Sequence, residues 1–168
     1  MKNPQKDIHN PRYIKLNYSR ITPYIFIGTN KCCFPRFDKR LKKVGIKAGV
    51  NLEEKRLGMP TGLDFYLWLP VADHEPPTMD QLFIGAKFLK EVVDRKIKVY
   101  VHCSLGHTRS PTLVAAYLIH EGMTVKQAIA TIKKKRRIIH PTKKQINALE
   151  KFYGMVNKDK NPLRQKER

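Results

Sequence analysis

Residues 98–110 read Lys-Val-Tyr-Val-His-Cys-Ser-Leu-Gly-His-Thr-Arg-Ser, beginning at Lys98 and ending at Ser110. Residues 99–101 form a short apolar strand, and the apolar run at 113–119 has the length of a helix. A polar loop lies between them, with Cys103 at its start and Arg109 at its end. Backbone N–H groups converge where a loop enters a helix N-terminus, so this stretch predicts an anion-binding loop.

Cys103 and Arg109 narrow the chemistry that such a loop can perform. A thiolate persists at neutral pH only in positive surroundings, which amide dipoles and a guanidinium provide, and the same surroundings attract a phosphate dianion. The spacing of these two residues is weak evidence alone, but the preceding strand, the following helix and Gly106 strengthen it. A buried structural cysteine beside a surface arginine is the alternative interpretation.

Residues 102–110 resemble the active-site signature of the cysteine-dependent protein phosphatases, and the short chain resembles their dual specificity branch. The resemblance extends from about Tyr18 to Tyr153. Residues 21–28 are similar to the family's opening strand, 69–77 to the segment that carries its acid, and 141–149 to the entry of its final helix. The resemblance implies a phosphatase that forms a phosphocysteine intermediate.

Composition and charge limit the classes of partner. The 168 residues are enough for one domain with a real core, and the formal net charge is +20 with a pI near 10.1. Such a charge favours anionic partners, which include a phosphorylated protein substrate, nucleic acid and an acidic lipid surface. A solvated basic surface is the alternative.

The three cysteines, Cys32, Cys33 and Cys103, cannot build a disulfide framework, and no Cys/His spacing resembles a zinc site. We therefore expect no metal and no cofactor, and a reducing compartment. The first ten residues contain no apolar segment, and no run approaches the roughly 20 apolar residues of a membrane span. These features predict a cytoplasmic location without a transmembrane segment.

Strand and helix patterns alternate along the chain. They predict strands at 21–28, 46–52, 63–71 and 99–101, and helices at 37–44, 79–96, 109–121, 125–136 and from Thr142 to about 152. Thr78 and Gln81 form a predicted capping box. The alternation indicates a single α/β domain with a central, mostly parallel sheet flanked by helices, similar to the dual specificity phosphatases. We expect a basic extension at 1–17, a phosphatase domain at 18–156 and a charged tail at 157–168.

Cys103 is the predicted nucleophile, and Arg109 is predicted to hold two phosphate oxygens with its planar fork. The loop amides would hold the equatorial oxygens, where charge develops in the transition state. The phosphate-binding residues are thus Ser104, Leu105, Gly106, His107, Thr108 and Arg109. The resemblance implies the same roles.

The leaving oxygen needs a proton, and Asp73 is the predicted general acid, which would act as base in the second step. It follows a strand, lies in a loop braced by proline, and matches the acid of the family. The competing carboxylates are Asp64, Glu75 and Asp80. Asp80 is better explained as first-turn helix charge, and Glu75 as a loop carboxylate.

Two residues flanking the loop have supporting roles that the resemblance implies. His102 is expected to orient the loop and polarise the surroundings of the thiolate, and Ser110 to donate a hydrogen bond to the Cys103 sulfur. His107 departs from many protein-directed members, which have a small or apolar residue there, whereas some lipid- and RNA-directed relatives have a basic one. It therefore leaves the substrate range open.

Three interpretations of function remain. The first is a phosphatase for phosphotyrosine and phosphoserine or phosphothreonine in proteins; the second applies the same chemistry to RNA 5′-phosphates or phosphoinositides. The third is a non-catalytic module that binds phosphate or nucleic acid. The basic run at 133–137 is either a solvated helix face or a docking surface for phosphates. Cys32 and Cys33 are interpreted as small hydrophobic residues, with the resolution of oxidised Cys103 as an alternative.

Overall fold

The structure is a computed structural model that describes residues 15–33 and 36–159. Most of the predicted extension at 1–17 and of the predicted tail at 157–168 lies outside these residues. Residues 157–159, at the start of the predicted tail, continue the last helix. None of the helices described is long and apolar enough to span a membrane.

Five strands form one sheet in the order β1-β2-β5-β3-β4. β1 pairs antiparallel with β2, and every other pair is parallel. The single α/β domain with a mostly parallel sheet is therefore confirmed. The strands are β1 (Tyr18–Arg20), β2 (Ile25–Gly28), β3 (Ile46–Glu53), β4 (Phe65–Val71) and β5 (Lys98–His102).

The helices follow the predicted order, and their ends follow local capping chemistry. Thr78 and Gln81 form the expected capping box, and Thr124 caps the fourth helix in the same way. Gly122 follows the third helix with a φ of +107°, a conformation that suits glycine. The helices are α1 (Lys39–Lys43), α2 (Met79–Asp94), α3 (Arg109–His120), α4 (Val125–Lys135) and α5 (Lys143–Asp159).

The predictions for two segments were wrong in detail. The strand predicted at 21–28 begins only at Ile25, because the Thr22 hydroxyl accepts the Ile25 N–H and makes a turn between β1 and β2. The predicted helix at 37–44 begins at Lys39, because the Asp38 carboxylate accepts the Arg40 N–H and caps it. β1 was missed.

The alternating residues of β5 divide the core into two parts. Val99 and Val101 are fully buried in the large cluster that includes residues of α2, α3, α4 and α5. Tyr100 is fully buried in a smaller cluster with residues of β2 and α1. Strand alternation then places the His102 ring on the Tyr100 face, while the chain after it turns into the loop.

Candidate active site

Cys103 follows β5 directly, is buried, and lines a cavity of about 140 Å³. Its sulfur lies 3.4 Å from the Ser110 hydroxyl oxygen, and both residues are buried. Residues 103–109, here called the nucleophile loop, connect β5 to α3. The structure therefore brings Cys103 and Ser110 together as expected.

Four successive carbonyl oxygens of the nucleophile loop, those of residues 104–107, accept hydrogen bonds from outside the loop. The first accepts from the Asn30 N–H at 3.1 Å and the last from the His140 N–H at 3.0 Å. The two between them accept from the Arg136 guanidinium at 2.9 and 2.8 Å. Because a peptide N–H points opposite to its C=O, these contacts turn the loop amides toward the cavity.

Gly106 allows this backbone path. Its φ is +70°, which side chains with a Cβ rarely adopt. A Cβ placed there would lie 2.7 Å from the Gly28 carbonyl oxygen and 3.0 Å from Arg136 Nη2. The close backbone approach expected at Gly106 is therefore present.

Arg109 is buried at the start of α3, with its guanidinium at the cavity. Nη1 donates to the Val71 carbonyl at 3.0 Å, and Nη2 contacts the Asp73 carboxylate at 2.9 Å. Nε is buried and has no hydrogen-bond partner among the described residues. Nε and Nη2 form the side of the guanidinium that can bind two oxygens of one anion.

Asp73 lies on the segment after β4, which we call the acid loop (residues 72–77). Its side chain is 63% exposed and lines the same cavity as Cys103. The competing carboxylates lie elsewhere: Glu75 pairs with Lys144, Asp64 with Lys47, and Asp80 lies in the first turn of α2. Asp73 is the candidate that the structure places against Arg109.

Residues at the start of α5 hold the acid loop in place. The helix was predicted from the sequence, but this contact was not. The Gln145 amide donates to the Glu75 carbonyl at 2.9 Å, and the Thr142 hydroxyl donates to the His74 carbonyl at 3.1 Å. Gln145 is fully buried, and its own Oε1 accepts the Thr142 N–H. The N-terminus of α5 therefore sets the position of the acid loop.

Arg136 is the second residue that the sequence reasoning missed. The other members of the basic run at 133–137 are exposed, whereas Arg136 is 2% exposed and supports the nucleophile loop from behind. It also donates to the Asn17 side chain at 2.8 Å, which connects β1 to the site. Ala128 and Ile132 lie on the buried face of α4, and Arg136, four residues further on, follows the helix as its C-cap on the same side.

His102 lies apart from the cavity over Cys103. Its Nε2 is 3.9 Å from the Cys33 sulfur, and its ring lies 5.9 Å from the Tyr100 ring. The side chain is thus on the other face of the sheet, because successive residues of a strand point to opposite faces. This position differs from the one expected for a residue that polarises the surroundings of the Cys103 thiolate.

Cys32 and Cys33 share that face and interact with each other, their sulfurs 2.7 Å apart. The hydrogen bond from the Cys32 thiol lowers the pKa of Cys33 to about 6, and the His102 ring adds to this against the effect of burial. Burial raises the pKa of Cys32, as does its bond to Cys33. The Cys33 thiol therefore loses its proton at a lower pH than the Cys32 thiol.

His107 lies at the rim of the active-site cavity with a second imidazole beside it. The His107 and His140 rings meet edge to face, with centroids 5.2 Å apart, and both residues line the cavity. Thr108 is buried, and its carbonyl accepts from the Thr112 hydroxyl and N–H. His107, which departs from many protein-directed members of the family, thus has a second imidazole beside it at the cavity.

The family described as the dual specificity phosphatase catalytic domain matches residues 25–155. The chain belongs to the dual specificity phosphatase family. Dual specificity protein phosphatase 5 of Rattus norvegicus is 30% identical over 139 residues, which cover 79% of this chain and 35% of that protein. The chain thus spans about a third of the length of that relative.

Solved structures of phosphatases have the same fold. PTPMT1 is 27% identical, with a TM-score of 0.74 over 86% of this chain and 100% of that chain. A mouse dual specificity phosphatase complexed with zinc tungstate is 22% identical, with a TM-score of 0.77 over 88% and 93% of the two chains. A further structure is of PTPMT1 in complex with PI(5)P, at 24% identity and a TM-score of 0.74 over 86% and 99% of the two chains.

Proposed function

We propose that this chain is a phosphomonoester hydrolase that works through a phosphocysteine intermediate. The Cys103 thiolate attacks phosphorus opposite the ester oxygen, forming a sulfur–phosphorus bond as the phosphorus–oxygen bond breaks. Water then attacks the phosphocysteine, releasing inorganic phosphate and restoring the thiolate. The position of the Cys103 sulfur at a cavity of about 140 Å³ supports this role.

Arg109 and the loop amides bind the phosphoryl group in this proposal. The orphaned Nε of Arg109 and the adjacent Nη2 offer two donors to two phosphate oxygens. The outward-bonded carbonyls of residues 104–107 leave the amides aimed at the remaining equatorial oxygens. Donors fixed before the substrate arrives stabilise the charge of the transition state without reorganisation.

Asp73 supplies the proton for the leaving oxygen. In the structure without substrate its carboxylate rests against Arg109 Nη2, where a phosphate oxygen must bind. The incoming dianion therefore takes over this donor and leaves Asp73 beside the ester oxygen. Repulsion between the two anions favours uptake of one proton from solvent by Asp73, which donates it to the ester oxygen as the phosphorus–oxygen bond breaks. The ionised Asp73 then accepts a proton from water in the second step.

Ser110 assists the second step of the reaction. Its hydroxyl lies 3.4 Å from the Cys103 sulfur and can donate to it. The donation stabilises the thiolate as it leaves phosphorus, because charge returns to sulfur at that moment. His102 is given no chemical step, since its ring faces Cys33.

The leading substrates are phosphotyrosine and phosphoserine or phosphothreonine in proteins, which the family of the chain supports. Phosphoinositides are the second candidate. His107 and His140 at the rim can bind a further phosphate, and PTPMT1, whose fold the chain resembles, has been crystallised with PI(5)P. RNA 5′-phosphates require the same chemistry and belong in the same comparison.

The observation that carries the proposal is a single cavity holding the Cys103 sulfur and a buried guanidinium with an orphaned donor. We expect the protein to hydrolyse a small aryl phosphate and Cys103→Ser to abolish turnover. Acid quenching during turnover should trap phosphate on Cys103, detectable by peptide mass spectrometry. Phosphate binding without turnover by the unmodified protein would instead indicate the non-catalytic module.

The substrate class requires a separate comparison. We would measure kcat/KM for phosphopeptides, phosphoinositide vesicles and RNA 5′-phosphates at one ionic strength, because a basic protein binds all polyanions more tightly at low salt. A phosphopeptide preference that persists at higher salt supports the leading assignment. A phosphoinositide preference that His107→Ala reduces supports the second.

A further inference from the structure

Three side chains that bind soft metals meet on the sheet face opposite the active-site cavity. They are Cys32 at the end of a 3₁₀ turn (Asn30–Cys32), Cys33 after it, and His102 at the end of β5. All three are buried, and their ligand atoms lie within 4.8 Å of one another. Cys33 and His102 are 69 positions apart, so the sequence contained no spacing typical of a zinc site.

A buried carboxylate lies beside this cluster. Glu53, with Cys33 and His102, lines a cavity of about 490 Å³. Its Oε1 accepts from the Asn30 amide at 3.1 Å, but its Oε2 has no hydrogen-bond partner among the described residues. Glu53 is 9% exposed, and a buried oxygen without a partner is costly. A cation held in this cavity would supply a counter-charge for it.

The distance between Cys33 and His102 is close to that of a tetrahedral metal site, whereas the two sulfurs are too close together. Zinc bound to sulfur at about 2.3 Å and to nitrogen at about 2.0 Å would separate these two atoms by roughly 3.6 Å. Cys33 Sγ and His102 Nε2 are 3.9 Å apart. The two sulfurs, at 2.7 Å, must separate by about 1 Å to reach the roughly 3.8 Å of two zinc-bound thiolates, and the cavity beside Cys33 leaves room for this rotation.

We propose that Cys32, Cys33 and His102 bind Zn²⁺, with the Glu53 carboxylate supporting the site from the same cavity. Thiolate and imidazole ligands select a thiophilic ion, whereas Mg²⁺ and Ca²⁺ require more oxygen ligands than the cluster offers. Lys31 and Arg56 line the same cavity, so strong metal–sulfur bonds are needed to hold a cation there.

The ion would connect the 3₁₀ turn to the end of β5, the strand that leads into the nucleophile loop. The Asn30 N–H in that turn already donates to the Ser104 carbonyl. Zinc at this place would therefore stabilise the base of the loop without contacting the substrate. The proposal is independent of the proposed hydrolase function, because none of the three ligands lines the Cys103 cavity.

The test uses the full chain with Cys103→Ser, which removes the third thiol as a competing ligand. After chelation and reduction, the protein is titrated with Zn²⁺, and bound metal is measured by elemental analysis after gel filtration. We expect one equivalent of zinc and a higher Tm. Titration with Co²⁺ should produce sulfur-to-cobalt charge-transfer absorption in the near ultraviolet.

Cys32→Ala and Cys33→Ala in the same background should each lose the retained zinc, and Cys33→Ala should weaken the cobalt absorption. Circular dichroism of the variants without metal establishes that they are folded. Glu53→Gln keeps both thiols and should weaken zinc binding by about 10–100-fold, the range typical of altered support for a metal site.

The proposal is overturned if the Cys103→Ser protein retains no zinc, or if the Cys32→Ala/Cys33→Ala double variant retains as much as its parent. If the alanine variants do not fold, the cobalt spectrum of the folded Cys103→Ser protein decides. A cobalt complex that lacks the sulfur-to-cobalt charge-transfer band would exclude Cys32 and Cys33 as ligands. A thiol count showing Cys32 and Cys33 joined in a disulfide after chelation and reduction would also overturn it.

Discussion

The nucleophile loop and the acid loop meet at one cavity but are held in different ways. In the nucleophile loop, four carbonyl oxygens have fixed donors, and Cys103, Arg109 and Ser110 are buried. In the acid loop, the Asp73 side chain is 63% exposed and contacts Arg109 and His74. The proposed phosphate-binding loop therefore has its donors in place before substrate binds, whereas Asp73, in its proposed role as proton donor, must exchange its partner during the reaction.

Arg109→Lys should have the largest effect, because Arg109 is shared by both loops. An ammonium cannot bond the Val71 carbonyl and hold two phosphate oxygens in one plane. We expect kcat/KM to fall about 10³-fold, the upper range for loss of a donor to a developing oxyanion, for every leaving group alike. Steady-state kinetics on a series of aryl phosphates measures this.

The matched control is Arg95→Lys, since Arg95 is an exposed arginine at the end of α2 that pairs with Glu91. It should leave kcat/KM unchanged. An Arg109→Lys enzyme that keeps a tenth or more of the original kcat/KM would argue against bidentate phosphate binding by Arg109.

Asp73→Asn should distinguish the acid loop from the nucleophile loop, because its effect on kcat/KM should depend on the leaving group of the substrate. Asparagine cannot donate a proton to the ester oxygen, so substrates with poor leaving groups should slow by about 10²-fold, at the low end for general acid catalysis. Activated aryl phosphates, which need little protonation, should slow less than about 10-fold. The slope of log kcat/KM against leaving-group pKa should therefore become steeper.

Asp64→Asn and Asp80→Asn are controls that change exposed carboxylates away from the cavity. Neither should alter that slope. Equal losses on activated and poor leaving groups in Asp73→Asn would contradict the assignment of Asp73 as the acid.

The sequence was sufficient for features whose causes are local. Cys103, Gly106 and Arg109 lie in one loop between a strand and a helix, and the Thr78 cap needs only Gln81 three residues away. The fold class followed from the alternation of such elements.

Contacts between distant residues could not be predicted in this way. Arg136 bonds Asn17 across 119 positions, and Gln145 bonds Glu75 across 70. Charge misled the interpretation of Arg136, because its neighbours in the basic run are exposed, although its four-residue spacing from Ile132 did indicate the buried face. The position of His102 opposite the cavity followed from strand alternation and could have been found.

Arg136→Lys tests how far the nucleophile loop depends on support from behind. Lysine keeps the charge but cannot reach the Leu105 and Gly106 carbonyls and Asn17 together. We expect about 2 kcal/mol of lost unfolding free energy, the order for buried acceptors left without a donor, and about a 10-fold lower kcat/KM. Denaturant unfolding and kinetics measure the two effects.

Arg137→Lys is the matched control, because Arg137 is the next residue and is exposed. It should change neither quantity. If the two variants behaved alike, the loss in Arg136→Lys could not be assigned to the loop contacts. Unlike Asp73→Asn, Arg136→Lys should lower the rate equally for good and poor leaving groups, since the nucleophile loop binds phosphate and not the leaving oxygen.

Gln145→Glu should have the smallest effect on kcat/KM and the one most specific to the acid loop. Because the side chain is fully buried, the new carboxylate also lowers the unfolding free energy, so the kinetics are measured where denaturant unfolding shows the variant to be folded. The side chain keeps its size and its cap to the Thr142 N–H, but a carboxylate cannot donate to the Glu75 carbonyl. We expect kcat/KM to fall by about 3-fold for substrates with poor leaving groups only, because the substitution disturbs only the position of Asp73. Gln127→Glu makes the same change in the capping box of α4, where the side chain is exposed, and should have no effect. If Gln145→Glu slowed activated substrates equally, the start of α5 would support the whole cavity, and the two loops would not be held independently.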